Sequence, residues 1–172
     1  MPEISPEVWT RIKQIRLLAL DSDGVLTDGG VYMTPEGQEF RRFDIKDGAG
    51  LKAVLAAGIP VAIISSAKNQ TVLYRGQQLG ISEVHVGVEE KLGCLQKVCA
   101  RYNVPLSAVC YVGDDDVDLP VFEAVGFSCA PSDAVGKVLA RADFVLSRPG
   151  GHGAVHEICD LITFATLQTD QI

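Results

Sequence analysis

The chain has 172 residues, 47% of them apolar and 6% aromatic, which suits one soluble α/β domain spanning 1–172. A formal charge of −7 argues against a nucleic-acid partner, and no apolar stretch approaches the ~20 residues needed to span a membrane. Five cysteines (Cys94, Cys99, Cys110, Cys129, Cys159) form no C-x-x-C pair, and Met1–Glu7 lacks the basic and apolar regions of a leader, so a reducing cytoplasm is expected.

The element pattern opens with a short helix over 6–14, with Ser5 as N-cap and Pro6 in its first turn. An apolar run, 16–21, predicts a buried strand that ends in Asp21-Ser22-Asp23-Gly24. Segments 30–33 and 38–44 flank Thr34-Pro35-Glu36-Gly37 and predict a β-hairpin. A helix over 48–57 stops at Gly58, and a second strand, 60–64, ends at Ser65-Ser66. Next come a helix over 69–79 stopped by Gly80, a strand at 84–86, a helix over 89–103 and a strand at 108–112 ending in Gly113-Asp114-Asp115-Asp116. A short helix near Leu119, a strand at 126–130, a helix over 134–140, a strand at 144–146 and a C-terminal helix over 153–167 complete the pattern. This alternation predicts a three-layer, Rossmann-like sandwich: a central parallel sheet with helices on both faces, a small hairpin after the first strand and no cap domain.

In an open parallel sheet, ligands bind at the carboxyl ends of the strands. Those ends carry Asp21 and Asp23, Ser65, and Asp114 and Asp115, and the helix after the third strand opens with Glu90-Lys91. Crowded carboxylates repel, and a divalent cation or a shared proton relieves them. Hard oxygen ligands suit Mg²⁺ with a substrate phosphate. A carboxylate can attack phosphorus, a lysine can neutralise phosphate charge, and a serine can hydrogen-bond a phosphoryl oxygen.

The run Asp21–Gly29 resembles the first motif of the haloacid-dehalogenase-like phosphohydrolases. Ser65 resembles the second, Lys91 the third and Gly113–Asp118 the fourth, all in order and over essentially the whole chain. The hairpin, the segment Phe43–Gly48 and the late Gly150-Gly151-His152-Gly153 are similar to the capless 3-deoxy-D-manno-octulosonate 8-phosphate phosphatases of lipopolysaccharide biosynthesis. The resemblance implies that Asp21 is the nucleophile and Asp23 the general acid and base. It implies Mg²⁺ on the Asp21 carboxylate, the Asp23 carbonyl and the Asp114 carboxylate, with Asp115 holding a metal-bound water. Ser65 and Lys91 then hold the phosphoryl group, and Asp118 hydrogen-bonds the loop. The implied substrate is an acidic sugar phosphate, and the implied assembly is a homotetramer in which a neighbour's hairpin helps close each site.

The chain departs from those relatives where they contact substrate. Their second motif reads Thr-Gly-Arg, and here it is Ser65-Ser66-Ala67-Lys68; their late Gly-Gly-Arg-Gly has His152 in the arginine position. An alanine cannot grip a substrate carboxylate as a guanidinium does, so Lys68, Arg75 and His152 become the candidate substrate contacts. The exact sugar acid stays open between the eight-carbon octulosonate and a nine-carbon relative. Two further readings are a phosphomutase, which needs a cap for which there is no room, and a non-catalytic oligomerisation module related to sugar-nucleotide synthetase domains. In isolation Ser65 also reads as a helix cap, Asp28 as a turn former, Asp116 as surface acid and His85 as core or surface. The tail Gln168–Ile172 is left open between disorder and contact with a neighbour's site.

Overall fold

The computed structural model of the chain describes residues 4–169. In chain order its elements are α1 (Pro6–Ile12), β1 (Leu17–Leu20), β2 (Tyr32–Met33), β3 (Glu39–Phe40), α2 (Ile45–Ala56), β4 (Val61–Ile64), α3 (Gln70–Leu79), β5 (Glu83–His85), α4 (Lys91–Tyr102), β6 (Val109–Val112), α5 (Leu119–Phe122), β7 (Phe127–Ala130), α6 (Gly136–Leu139), β8 (Phe144–Val145) and α7 (Ala154–Thr169). Six strands pair in parallel in the order β5-β4-β1-β6-β7-β8, and β2 and β3 form a separate antiparallel hairpin. The chain builds outward from β1 to β5, returns to place β6 on the other side of β1, and then builds outward again. Adjacent connections therefore diverge between β1 and β6, which opens a crevice there.

Side-chain alternation explains why the sheet is covered on both faces. Leu18 and Leu20, Val61 and Ile63, and Cys110 and Val112 pack towards α2, α3 and α7. Leu17 and Ala19, Ala62 and Ile64, and Val109 and Tyr111 pack towards α4, α5 and α6. Every residue of β1, β4, β6 and β7 is buried, and each fully buried Leu, Ile or Val is worth about 1.5–3 kcal/mol.

The boundaries differ from the sequence reading in physically telling places. Helix α2 starts at Ile45 rather than 48, because the Asp44 carboxylate caps it by accepting from Lys46 N. Asp47 then lies in its first turn and reaches across to accept from Gly153 N and His156 N, tying α2 to α7 at the latter's start. The hairpin strands shrink to two residues each, with both faces exposed, and a lone bridge from Thr27 to Phe43 carries the hairpin back to the loop after β1. Gln168 and Thr169 continue α7; residues 1–3 and 170–172, including most of the expected tail, lie outside the described residues. Among the described residues no helix is long and apolar enough to cross a membrane.

Candidate active site

Strand β1 delivers Asp21, whose N–H still bonds Val112 O of β6 at 2.9 Å, and then the chain turns. Ser22 O accepts from Val25, Leu26 and Thr27, and Thr27 Oγ1 accepts from Gly24 N and Gly29 N. This closed loop brings Asp23 to the same cavity as Asp21. The cavity, about 310 Å³, is also lined by Ser65 and Ala67 from the end of β4 and by Asp114, Asp115 and Val117 after β6. Gly24 has φ +80°, and a Cβ there would stand 2.0 Å from Asp114 Oδ2, so the loop approaches Asp114 as only glycine permits.

Lys91 lies behind this cavity. The Glu90 side chain caps α4 by accepting from Gly93 N and sets Lys91 at the helix start. Lys91 is buried, 3% exposed, and its ammonium lies 2.7 Å from both Asp21 Oδ2 and Asp118 Oδ1. Burial alone would lower its pKa, but the two carboxylates outweigh burial and hold it above the usual lysine value. Asp118 is fully buried and saturated: Oδ1 accepts from Lys91 and from the Tyr111 hydroxyl at 2.7 Å, and Oδ2 from Asp114 N and Asp115 N. It orders the loop carrying Asp114, in the role expected from sequence.

The acidic groups fit a divalent cation. Carboxylate oxygens of Asp21, Asp114 and Asp118 lie within 4.8 Å of one another. Asp118 has its four donors already, so the carboxylates of this group free to meet a cation are those of Asp21 and Asp114. Asp114 Oδ1 is buried without a hydrogen-bond partner among the described residues, an expensive arrangement for a carboxylate unless a cation meets it. Burial, then the Asp21, Asp118 and Asp115 charges, push Asp114 up to about 8. Burial raises Asp21 to about 6 against the pull of Lys91. Asp115 lines the cavity from the rim and caps the turn after it.

The remaining candidates separate. Ser65 is buried at the cavity wall, its Oγ accepting from Ala67 N at 3.3 Å. Lys68 lines an adjoining cavity of about 520 Å³ that shares Ala67 with the first. Arg75 is brought to neither: its guanidinium bonds Asp44 O at 3.2 Å and lies over the Phe43 ring, securing the start of α2. His152 also lies outside both cavities, its Nδ1 on Gly150 O and its Nε2 3.4 Å from Arg42 Nη1. Its glycine neighbours matter more to the site: a Cβ on Gly150 would meet Gly24 O at 1.8 Å, so this loop braces the Asp23 loop from behind. Of the residues with structural readings, Asp28 accepts from Gly30 N and from the Tyr32 hydroxyl, whose bond chiefly lowers its pKa. Asp116 is exposed and paired with Lys137, and His85 pairs with Glu83.

Arg41 was missed from the sequence. It leaves the hairpin with its side chain nearly buried and its Nε 3.1 Å from Asp23 Oδ1, and it lines the second cavity. Its only sequence signal was two consecutive arginines, Arg41-Arg42, at the hairpin's exit.

A parallel sheet with two aspartates at the end of β1, a hydroxyl at β4, a lysine at α4 and acids at β6 fits a phosphohydrolase architecture, and residues 51–158 match the haloacid dehalogenase-like hydrolase family. The chain belongs to that family. Over 168 residues it is 42% identical to the 3-deoxy-D-manno-octulosonate 8-phosphate phosphatase KdsC of Salmonella typhimurium, covering 98% of this chain and 89% of that protein. The solved structure of that phosphatase from Yersinia pestis superposes with a TM-score of 0.93 at 36% identity, covering 97% of this chain and 90% of the other. The one from Moraxella catarrhalis, in complex with a magnesium ion, a phosphate ion and a KDO molecule, gives 0.92 at 34% identity, covering 98% and 97%.

Proposed function

We propose that this protein is a Mg²⁺-dependent phosphatase that hydrolyses 3-deoxy-D-manno-octulosonate 8-phosphate through an aspartyl-phosphate on Asp21. The observation that carries this reading is the convergence of Asp21, Asp23, Ser65 and Asp114 on one cavity, with Lys91 bonded to Asp21 from behind.

The Asp21 and Asp114 carboxylates and the Asp23 carbonyl would hold the magnesium ion, with Asp115 in the layer beyond. When bound, the ion supplies positive charge that lets an anionic nucleophile approach an anionic phosphate. Asp21 Oδ2 is held by Lys91 and Oδ1 by Ser22 N, so the carboxylate is oriented before substrate arrives. In the first step an Asp21 oxygen bonds phosphorus, the bond to the sugar oxygen breaks, and Asp23 gives that oxygen a proton. In the second, Asp23 takes a proton from water as the water oxygen bonds phosphorus. The Asp21–phosphorus bond then breaks and releases inorganic phosphate. Lys91 has used two of its three N–H donors, and the third serves a phosphoryl oxygen together with the Ser65 hydroxyl.

The chain acts as one domain, and four copies assemble. Val31, Tyr32, Met33 and Phe40 on the hairpin are all exposed, an apolar surface suited to burial against a neighbour. Light scattering on the purified protein should give four times the chain mass. The five cysteines are free, which favours the cytoplasm. A panel of sugar-acid phosphates assayed with Mg²⁺ tests the substrate. Highest kcat/KM on the octulosonate phosphate supports the reading; highest kcat/KM on a nine-carbon sugar-acid phosphate, or no Mg²⁺-dependent turnover at all, contradicts it.

A further inference from the structure

Resting on that reading, we propose that Arg41 is the specificity residue of this enzyme: it grips the acidic end of the substrate in the second cavity, replacing the guanidinium that Ala67 lacks.

The two cavities have opposite chemistry. The first holds four aspartates and suits a cation and a phosphoryl group. The second, larger one meets it at Ala67 and is lined by Arg41 and Glu39 from the hairpin and by Lys68, Asn69 and Thr71 before and within α3. A substrate with its phosphate in the first cavity extends over Ala67 into the second. There it meets two cations, Arg41 and Lys68, against one carboxylate. The Glu39 side chain is half exposed and 3.4 Å from Arg41 Nη2, a long contact that a better-placed carboxylate can displace.

A second observation points the same way. Asn69 Nδ2 is buried yet bonds nothing among the described residues, while Asn69 Oδ1 is occupied by Thr71 N and Oγ1. Asn69 lines this cavity, and its unused amide donor is a group that an oxygen-rich ligand would satisfy. Arg41 is also suited to the task by its anchorage. Its Nε is fixed on Asp23 Oδ1 at 3.1 Å, so the guanidinium is pre-oriented and bridges the two cavities. Arg75 is committed to Asp44 O and Phe43, and Arg42 to Gly151 O at 2.7 Å, so neither competes for this role.

The test compares kcat/KM for the octulosonate phosphate with that for a neutral hexose 6-phosphate, in the wild-type enzyme with Mg²⁺ and in Arg41→Met, Arg41→Lys and the double variant Arg41→Met/Ala67→Arg. The expected result is a fall of about tenfold or more in the acidic-to-neutral ratio for Arg41→Met, expressed mainly in KM. Arg41→Lys should recover part of it, and Ala67→Arg in the double variant should restore it from between the two cavities. An unchanged ratio overturns the proposal, whether both substrates lose equally, which would leave Arg41 only orienting Asp23, or neither loses. A wild-type enzyme that turns over neither substrate overturns the phosphatase reading itself.

Discussion

Asp118 shows how one buried side chain organises a site without entering it. Its two oxygens accept from Lys91, Tyr111 and the backbone N–H groups of Asp114 and Asp115. Asp118→Asn would offer an N–H to at least one of these donors and leave the Lys91 ammonium short of a counter-charge in a buried setting. A stability loss of about 3 kcal/mol in urea melts is expected, with kcat lowered roughly tenfold or more. The family resemblance implied that Asp118 hydrogen-bonds the loop, and its bonds to Asp114 N and Asp115 N agree. Lys91 could be placed at the start of α4, but its shared contact with Asp21 and Asp118 joins three separate segments and no local pattern reveals it. The Arg41–Asp23 pair was hidden for the same reason: hairpin closure, not spacing, brings the two together.

At the scale of elements, the loop after β1 depends on the absence of side chains. Gly24 has left-handed backbone and lies against Asp114, and Gly150 lies against Gly24 O. Gly24→Ala should therefore displace Asp114. Isothermal titration should show Mg²⁺ affinity weakened at least tenfold, and thermal melts a loss of about 1–3 kcal/mol. The strands of the sheet were legible because residues buried on both faces form unbroken apolar runs such as Leu17–Leu20 and Val61–Ile64. Helix α2 starts at Ile45, three residues before the expected 48, because Asp44 is its cap. In the fold Asp47 is buried, bonding Gly153 N and His156 N, and Gly48 gives room to the Arg75 guanidinium. The expected hairpin strands, 30–33 and 38–44, exceed the paired Tyr32–Met33 and Glu39–Phe40, because a turn signal between strand-like runs does not mark where backbone pairing stops.

At the scale of the whole molecule, the strand order divides at β1 and β6 and sets acid against acid across the crevice. Without a cation this arrangement has a definite pH signature. The folded-state values of Asp114, about 8, and Asp21, about 6, lie above the ordinary 3.8, so the folded protein binds more protons than the unfolded chain. Their contribution is most favourable at low pH and is lost as pH rises through 6 and then 8. The Tm of protein in EDTA should thus fall between pH 5.5 and 8.5 as these groups ionise. Millimolar Mg²⁺ should oppose the fall, so the Mg²⁺-induced rise in Tm grows with pH; an equal rise at both ends of the range would contradict the ligand assignment.

The central claim is that Asp21 is the nucleophile of a Mg²⁺-dependent phosphatase. Phosphate release from 3-deoxy-D-manno-octulosonate 8-phosphate, compared between the wild type and Asp21→Asn by a coupled assay, tests it most directly. The account predicts Mg²⁺-dependent turnover by the wild type and a loss of about a thousandfold or more in the variant, with circular dichroism unchanged. An Asp21→Asn protein releasing phosphate at the wild-type rate would contradict it.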